Sequence, residues 1–401
     1  MNGTAASNGE GLRVAFVVYQ RRWTGAALSM LGLLDGLPAH GVLPHVVIQR
    51  GSPITSAISA RQVPLAQFPL RRWMEPRVSA LWPVQALGRM GSNLVGLPGV
   101  LRQLRAWDVD VIVTNTSAVP VGAFAAALLH TPHVWIVREF GLVDSGSRHD
   151  FGRRVFDFWL RRATRVIAVS EAVRLAVLDG LPPERVDVIH NGVAFAPDFA
   201  TLLQRARAER RDPDRFTFLV AGRIQPQKGQ ETAIRALARL APEFPEVRLE
   251  IVGDGETRNV ERCRALVEKL ALRERVTFRG HVADPWPYFV RADAVLMCSV
   301  SEAMGRVTAE AMATGRPVIG HATGGTSELI RDGQTGLLYS GDDEALAASM
   351  RRVLERPEWR RQLGEQAWRD ARERFTIERY AGSVAHSLRQ ALAGRNGQRR
   401  Q

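Results

Sequence analysis

Two carboxylates and two cations stand out in the second half of the chain. Glu302 and Glu310 are separated by seven residues within SVSEAMGRVTAEAMATGRPVIGHATGGTSELI (299–330), which follows the apolar, strand-like run DAVLMCS (293–299). Gly305 permits close backbone approach, and RVTAEAMAT reads as a helix beginning at Arg306 or Val307. The amides of Gly305, Arg306, Val307 and Thr308 are then the unpaired donors of a helix start, a ready site for phosphate. Eight positions of helix rise about 12 Å, so the two carboxylates stand that far apart or less, on either side of the phosphate site. A nucleoside diphosphate sugar has this layout: one carboxylate accepts from ribose hydroxyls and the other from sugar hydroxyls. The spacing alone fits equally well a surface loop glutamate and a solvated helix-face glutamate. A second cluster decides. Arg223 and Lys228 lie in AGRIQPQKGQETAIRAL (221–237), on a loop between strand and helix and beside Gly222 and Gly229, where two cations can converge on one diphosphate.

These residues need strand ends to hold them. LRVAFVVY (12–19), VLPHVVI (42–48), VDVIVTN (109–115), HVWIVRE (133–139), RVIAVS (165–170) and DVIHNGV (187–193) are apolar, β-branched runs without polar alternation, most of them followed by helix-like segments. That pattern predicts a parallel sheet covered on both faces. A second series follows: RFTFLVAG (215–222), VRLEIVG (247–253), RVTFRG (275–280), DAVLMCS (293–299), RPVIG (316–320) and GLLYS (336–340). The expected architecture is therefore α/β, with two doubly wound, Rossmann-like domains facing across a cleft at the carboxyl ends of their strands. The expected boundaries are 1–194 for an acceptor-binding domain, 195–214 for a charged, proline-bounded linker, 215–372 for a nucleotide-sugar-binding domain, and 373–401 for a helix crossing back to the first domain. The apolar stripe Phe375, Ile377, Tyr380, Val384 and Leu388 motivates that crossing.

Bulk properties narrow the class. The chain has 401 residues, 45% hydrophobic and 24% charged, which excludes disorder, collagen and small disulfide scaffolds and favours two domains. The net charge of +13 is carried by arginine, since Lys228 and Lys269 are the two lysines. Residues 1–200 hold 20 basic and 14 acidic side chains, so no basic tail points to nucleic acid. Cys263 and Cys298 lack the spacing of a disulfide framework or a zinc site. A polar, small-residue start and the lack of any 18-residue apolar stretch suit a cytoplasmic protein. Trp73, Trp82 and Trp107 among Arg71, Arg72, Arg77, Arg89, Arg102 and Arg105 read first as core or edge packing, the alternative being a basic amphipathic surface for peripheral contact with an anionic membrane at its inner face.

The segments AGRIQPQKG, EIVGDG, FRGHV, ADAVLMCSVSEAMGRVTAEAMATGRPVIGHATGGTSELI and DGQTGLLY, with IAVSEAV and VIHNGV in the first half, resemble in this order the retaining glycosyltransferases of family four, which have the GT-B fold. The resemblance implies a hexosyltransferase-type enzyme that moves a sugar from a UDP- or GDP-sugar to an acceptor glycan or lipid-linked glycan, in polysaccharide or glycolipid biosynthesis of the cell envelope. It also implies no cofactor and no metal. By resemblance, Arg223 and Lys228 stabilise the departing diphosphate, Glu302 faces the transferred sugar and Glu310 grips ribose. Gly222, Gly305, Arg306 and Val307 surround the phosphates and sugar, and Gly280 and Val282 hold the base through backbone groups. Thr24 and Gly25 stand where the family often has two glycines. Arg138 and Glu139 stand where many relatives carry a histidine followed by an acid, so a histidine-specific role does not transfer. A catalytically silent sugar-nucleotide-binding protein, an epimerase and a phosphorylase are the competing expectations.

Other motifs are read as structural. Asp108 and Asp110 precede their strand, away from the expected cleft, and suit capping rather than a metal. Gly253 and Gly255 read as a tight turn near the donor, and His133 as packing. Gly324, Gly325 and Glu328 fit either a structural turn or a sugar-facing loop. His190, His281 and His321 have no nucleophile elbow beside them.

Overall fold

Apolar runs with no polar alternation leave no face for water, and each becomes a strand covered on both sides. In the computed structural model, which describes residues 11–75, 80–141, 146–209, 212 and 214–398, the first series comprises β1 (Leu12–Val18), β2 (Val42–Gln49), β3 (Leu65–Phe68), β4 (Met74–Glu75), β5 (Val111–Thr114), β6 (His133–Val137), β7 (Arg148–His149), β8 (Arg165–Ala168) and β9 (Val186–Val188). Seven of them form a parallel sheet in the order β3-β2-β1-β5-β6-β8-β9, while β4 and β7 pair as a short antiparallel ribbon. The second series comprises β10 (Phe216–Ala221), β11 (Val247–Val252), β12 (Val276–Gly280), β13 (Ala294–Met297), β14 (Val318–His321) and β15 (Leu337–Tyr339). It forms a parallel sheet in the order β12-β11-β10-β13-β14-β15.

Both sheets are wound outward in two directions from their first strand. The order reverses between β1 and β5 in one and between β10 and β13 in the other, and at such switch points the loops beyond the carboxyl ends diverge to leave a crevice. The chain divides into two compact units: residues 1–168, 180–189 and 380–401 in unit 1, and residues 169–179 and 190–379 in unit 2.

Several segments differ from expectation. The 195–214 stretch is mostly helix, Ala196–Ala208, because Phe199, Leu202 and Ala206 fall on one face and are buried within unit 2. The strand β3 and the ribbon β4/β7 were not legible, being short and lacking a long apolar run. The chain also passes between the units at 168/169, 179/180 and 189/190, where an unbroken first domain was expected. The terminal helix Ile377–Gln398 begins in unit 2 and enters unit 1 at Tyr380; Tyr380, Val384 and Leu388 are buried.

The tryptophan and arginine segment separates into core and surface. Trp73 is buried, stacks on Trp135 and donates from Nε1 to the Ser117 carbonyl at 2.8 Å, so it is a core residue and unavailable to a lipid. Arg77 lies outside the described residues. The helix Trp82–Ala106 turns Ala86, Asn93, Leu97, Val100 and Leu104 inward and leaves Val84, Leu87, Leu94 and Val95 exposed on the opposite face. Among the described residues, no helix is long and apolar enough to cross a membrane.

Candidate active site

The loops after β10 and β13 meet at the switch point of unit 2, and glycines let them do so. Gly229 has φ of 70° and lies so close to the β13 loop that a Cβ there would sit 2.3 Å from the Cys298 carbonyl oxygen. Val300 N and Ser299 Oγ both donate to the Gln227 carbonyl, at 3.0 and 3.2 Å. On the other side of β10, Gly222 N donates to Val252 and Ile224 N to Asp254. Gly253 and Gly255 give this turn its closeness, since a Cβ on Gly253 would lie 2.1 Å from the Gly222 carbonyl oxygen.

This stitching presents the four charged residues of the sequence pattern. Lys228 follows Pro226 in a single 3₁₀ turn, and its Nζ is hydrogen-bonded to Glu302 Oε2. Arg223 reaches outward, 3.6 Å from Glu256 Oε1, while its carbonyl accepts from Gln230 Nε2 at 3.0 Å. Glu302 is held from behind: Gly325 N donates to its carbonyl at 2.8 Å, and Gly324 packs against the same carbonyl. The TGGT segment is thus a backing turn for the Glu302 loop.

Gly305, at φ of 91°, precedes the helix Arg306–Ala313, which starts without a side-chain cap. Thr308 and Thr326 are fully buried, their hydroxyls unpartnered among the described residues and each 3.4 Å from where a Cβ on Gly305 would stand. No local signal marks these hydroxyls in the sequence. Arg306 donates from Nε to Glu310 Oε1 at 2.7 Å, and from Nη1 and Nη2 to the carbonyls of Gly192 and Val193. Glu310 is buried beneath it; burial pushes its carboxyl above the ordinary range, with Arg306 pulling the other way. Lys228 with Glu302 and Arg306 with Glu310 therefore form two ion pairs flanking the helix start.

Gly280, at φ of 70°, ends β12 and accepts from Gly253 N at 2.8 Å, with Val282 two residues beyond. Gly222, Gly253 and Gly280 thus terminate three neighbouring strands with backbone rather than side chains. Glu328 turns away from this region. It accepts from the amides of Glu171 and Ala172 at 2.8 and 2.6 Å and from His190 Nε2 at 3.2 Å. Burial tends to raise its pKa, but the His190 contact and the two amides outweigh that and hold it below the ordinary value. It clamps the start of the helix Glu171–Val177, a role its glycine-rich context did not announce.

In unit 1, Thr24 caps the helix Gly25–Gly36, accepting from Ala27 N and from Gln20 Nε2. The threonine thus fixes the start of this helix through its side chain. Arg138, at the end of β6, donates to Asn115 Oδ1 at 2.9 Å and to the Tyr380 hydroxyl at 2.7 Å. Glu139 folds back to accept from Arg138 N and Ser117 N. His133 is buried beside Thr114 and Trp135, and burial lowers its pKa to about 3. Asp108 and Asp110 bind Arg13 at the amino end of β1, with Asp110 accepting from Arg13 N at 2.8 Å. Among the described residues, no group of three His, Cys, Asp or Glu side chains is placed to hold a metal ion.

Two doubly wound sheets in tandem, with cations and carboxylates gathered at the second switch point, define a GT-B glycosyltransferase. Comparison with known proteins agrees. Residues 204–370 match the family "Glycosyl transferases group 1" and residues 23–196 match "Glycosyltransferase Family 4". The chain belongs to this family. It is 32% identical, over 283 residues, to the D-inositol 3-phosphate glycosyltransferase of Paenarthrobacter aurescens, covering 67% of this chain and 68% of that one. It is 35% identical to the protein of the same name from Pseudarthrobacter chlorophenolicus, the match spanning 54% of each chain. Several further relatives are likewise matched over about half their length. HepE of Anabaena, solved in complex with UDP-glucose, superposes with a TM-score of 0.76 at 25% identity, over 94% of this chain and 99% of that one. The sucrose-phosphate synthase of Thermosynechococcus elongatus shares the fold, with a TM-score of 0.76 at 22% identity over 96% of this chain and 100% of that one.

Proposed function

We propose that this chain transfers a hexose from a nucleotide diphosphate sugar to an acceptor hydroxyl with retention of anomeric configuration, unit 2 holding the donor and unit 1 the acceptor. The observation that carries this reading is the loop pair at the β10/β13 switch point, where Lys228 is paired with Glu302 in the loop before Gly305 and Arg306 with Glu310 in the helix after it, and where Arg223 leaves the β10 loop toward Glu256. Two cations and the main-chain dipoles of a helix start suit the charge that develops on a departing diphosphate. In the proposed step the bond from the anomeric carbon to the diphosphate breaks, the bond to the acceptor oxygen forms on the same face, and the acceptor's proton passes to a diphosphate oxygen. Fixed cations and amides take the electrostatic role that a metal has in other transferases, so activity should persist in chelator.

UDP-glucose is the first donor to try, because HepE was solved with it. Thermal-shift screening of UDP, GDP, ADP and their sugars reads the choice directly, since a bound donor stabilises by mass action. Lys228→Ala and Arg223→Ala should each slow turnover by about two to three orders of magnitude, for a charge stabilisation of roughly 3 to 4 kcal/mol. Unchanged turnover in both refutes the assignment. An acceptor carried on lipid suits the exposed Val84, Leu87, Leu94 and Val95 face of the helix Trp82–Ala106. Sedimentation with anionic vesicles should then fall in Leu94→Glu/Val95→Glu, and wild-type sedimentation of that variant removes the membrane from the reading.

A further inference from the structure

We infer that the side chain of Arg306 is a positioning residue for the donor nucleotide: it anchors the Glu310 carboxylate through one oxygen and leaves the other to accept from the ribose. This rests on the reading that unit 2 binds the donor and that Glu310 meets its ribose.

Glu310 lies one turn along the helix Arg306–Ala313 and is only 5% exposed. Burial of that kind favours the neutral acid, and the Arg306 guanidinium opposes it. A carboxylate accepts through both oxygens, whereas the neutral acid carries a proton on one of them. A firm grip on ribose hydroxyls therefore depends on the charged form. Arg306 supports that form from four positions earlier on the same helix face, Nε donating to Oε1 at 2.7 Å. Among the described residues no donor reaches Oε2, and this oxygen keeps contact with solvent. The carboxylate is thus fixed at one oxygen and available at the other.

Arg306 is itself held. Its Nη1 and Nη2 donate to the carbonyls of Gly192 and Val193, at 2.9 and 3.2 Å. Those carbonyls sit on a clamped segment: Val193 N donates to the Phe375 carbonyl at 2.9 Å, and a Cβ on Gly192 would lie 2.7 Å from the Thr376 carbonyl oxygen. All of these residues belong to unit 2. The bridge needs a rigid fork with a separate Nε, which ties two carbonyls on one side and a carboxylate on the other; a lysine ammonium has no such fixed geometry. With its guanidinium engaged by protein acceptors, Arg306 influences the nucleotide through Glu310 rather than by touching it.

The test is a double-mutant cycle on the full chain. Calorimetry reads affinity for UDP, or for GDP or ADP if the protein takes those instead, and for the matching monodeoxyribose analogues. Wild-type protein should prefer the full ribose by about tenfold, the worth of a hydrogen bond to a charged group. Arg306→Met keeps the bulk, removes the charge and should bring that preference close to unity. In Glu310→Gln the preference should already be small, and adding Arg306→Met should change nucleotide affinity by less than about twofold. Arg306→Lys should restore part of the preference, and it serves as the test where Arg306→Met does not fold. Equal weakening for the nucleotide and its analogues, or additive losses in the double variant, marks a general structural role or a direct diphosphate contact and overturns the proposal. The two readings fail separately. A ribose preference that survives intact in Arg306→Met overturns this one alone, whereas wild-type protein that binds none of the three nucleotides overturns the donor reading and this one with it.

Discussion

Six strands of the first sheet repeat the order of the second, with β9 added at the edge, yet the strand-end loops of the two sheets are joined in different ways. In unit 2 the loops approach backbone to backbone, through Gly229 against Cys298, Gly253 against Gly222 and Gly324 against Glu302, and their charges are paired as Lys228 with Glu302 and Arg306 with Glu310. In unit 1 the strand-end loops are joined by buried side chains, Gln49, Ser52 and Asn93, and Arg21, Arg50 and Arg71 stay outside the ion pairs of their surroundings. Backbone contact demands glycine at set positions and leaves a motif. Side-chain contact tolerates many residue types and leaves none. The lesson is that one topology can be closed either by glycine-enforced backbone contact or by buried polar side chains.

The largest test of this contrast removes a cation from each unit. Lys228→Ala should cut turnover by about two to three orders of magnitude at saturating donor. Arg71→Gln should change turnover far less, and equal kcat losses in both would erase the distinction between the units.

Next come two left-handed glycines. Gly229→Ala should destabilise the protein by about 2 to 4 kcal/mol, because strain at its φ of 70° adds to a Cβ 2.3 Å from the Cys298 carbonyl oxygen. Gly51→Ala, at φ of 75° but with nothing within 4 Å of the new Cβ, should cost only about 1 kcal/mol. Urea unfolding of both variants measures the gap, and similar losses would deny unit 2 its tighter backbone packing.

Acid should act on unit 1 first. Burial lowers His133 to about 3, and burial with nearby Arg153 lowers His149 to about 4, both from 6.5. Below 6.5 the unfolded chain binds protons that the folded one refuses, so their contribution is complete above 6.5 and is lost as pH falls toward 4. The loss is about 1.4 kcal/mol per pH unit for each group. Glu328 in unit 2 is held below 4.5, and its contribution is lost only under more acid conditions. Hydrogen exchange at pH 5 should show unit 1 loosening ahead of unit 2, and the opposite order would contradict the assignment. The smallest effect is expected from Thr24→Ala, which removes the cap of the helix Gly25–Gly36 and should cost about 1 kcal/mol in thermal melts.

Much of this molecule was legible from composition and order alone. Twelve apolar runs marked the core strands, because a strand buried on both faces admits no polar alternation, and residues 299–330 brought a loop glutamate, a glycine and a helix start into one local stretch. Local chemistry of that kind survives reading along the chain. What only the folded chain decided lies in pairings across long separations. Lys228 finds Glu302 at 74 residues' distance, Glu328 clamps a helix start more than 150 residues earlier, and Phe199, Leu202 and Ala206 turn an expected linker into a packed helix. Arg21, Arg50 and Arg71 belong to one cavity because β1, β2 and β3 lie side by side. Strand adjacency comes from burying a whole sheet at once, a cooperative balance of area against chain entropy that no single segment encodes.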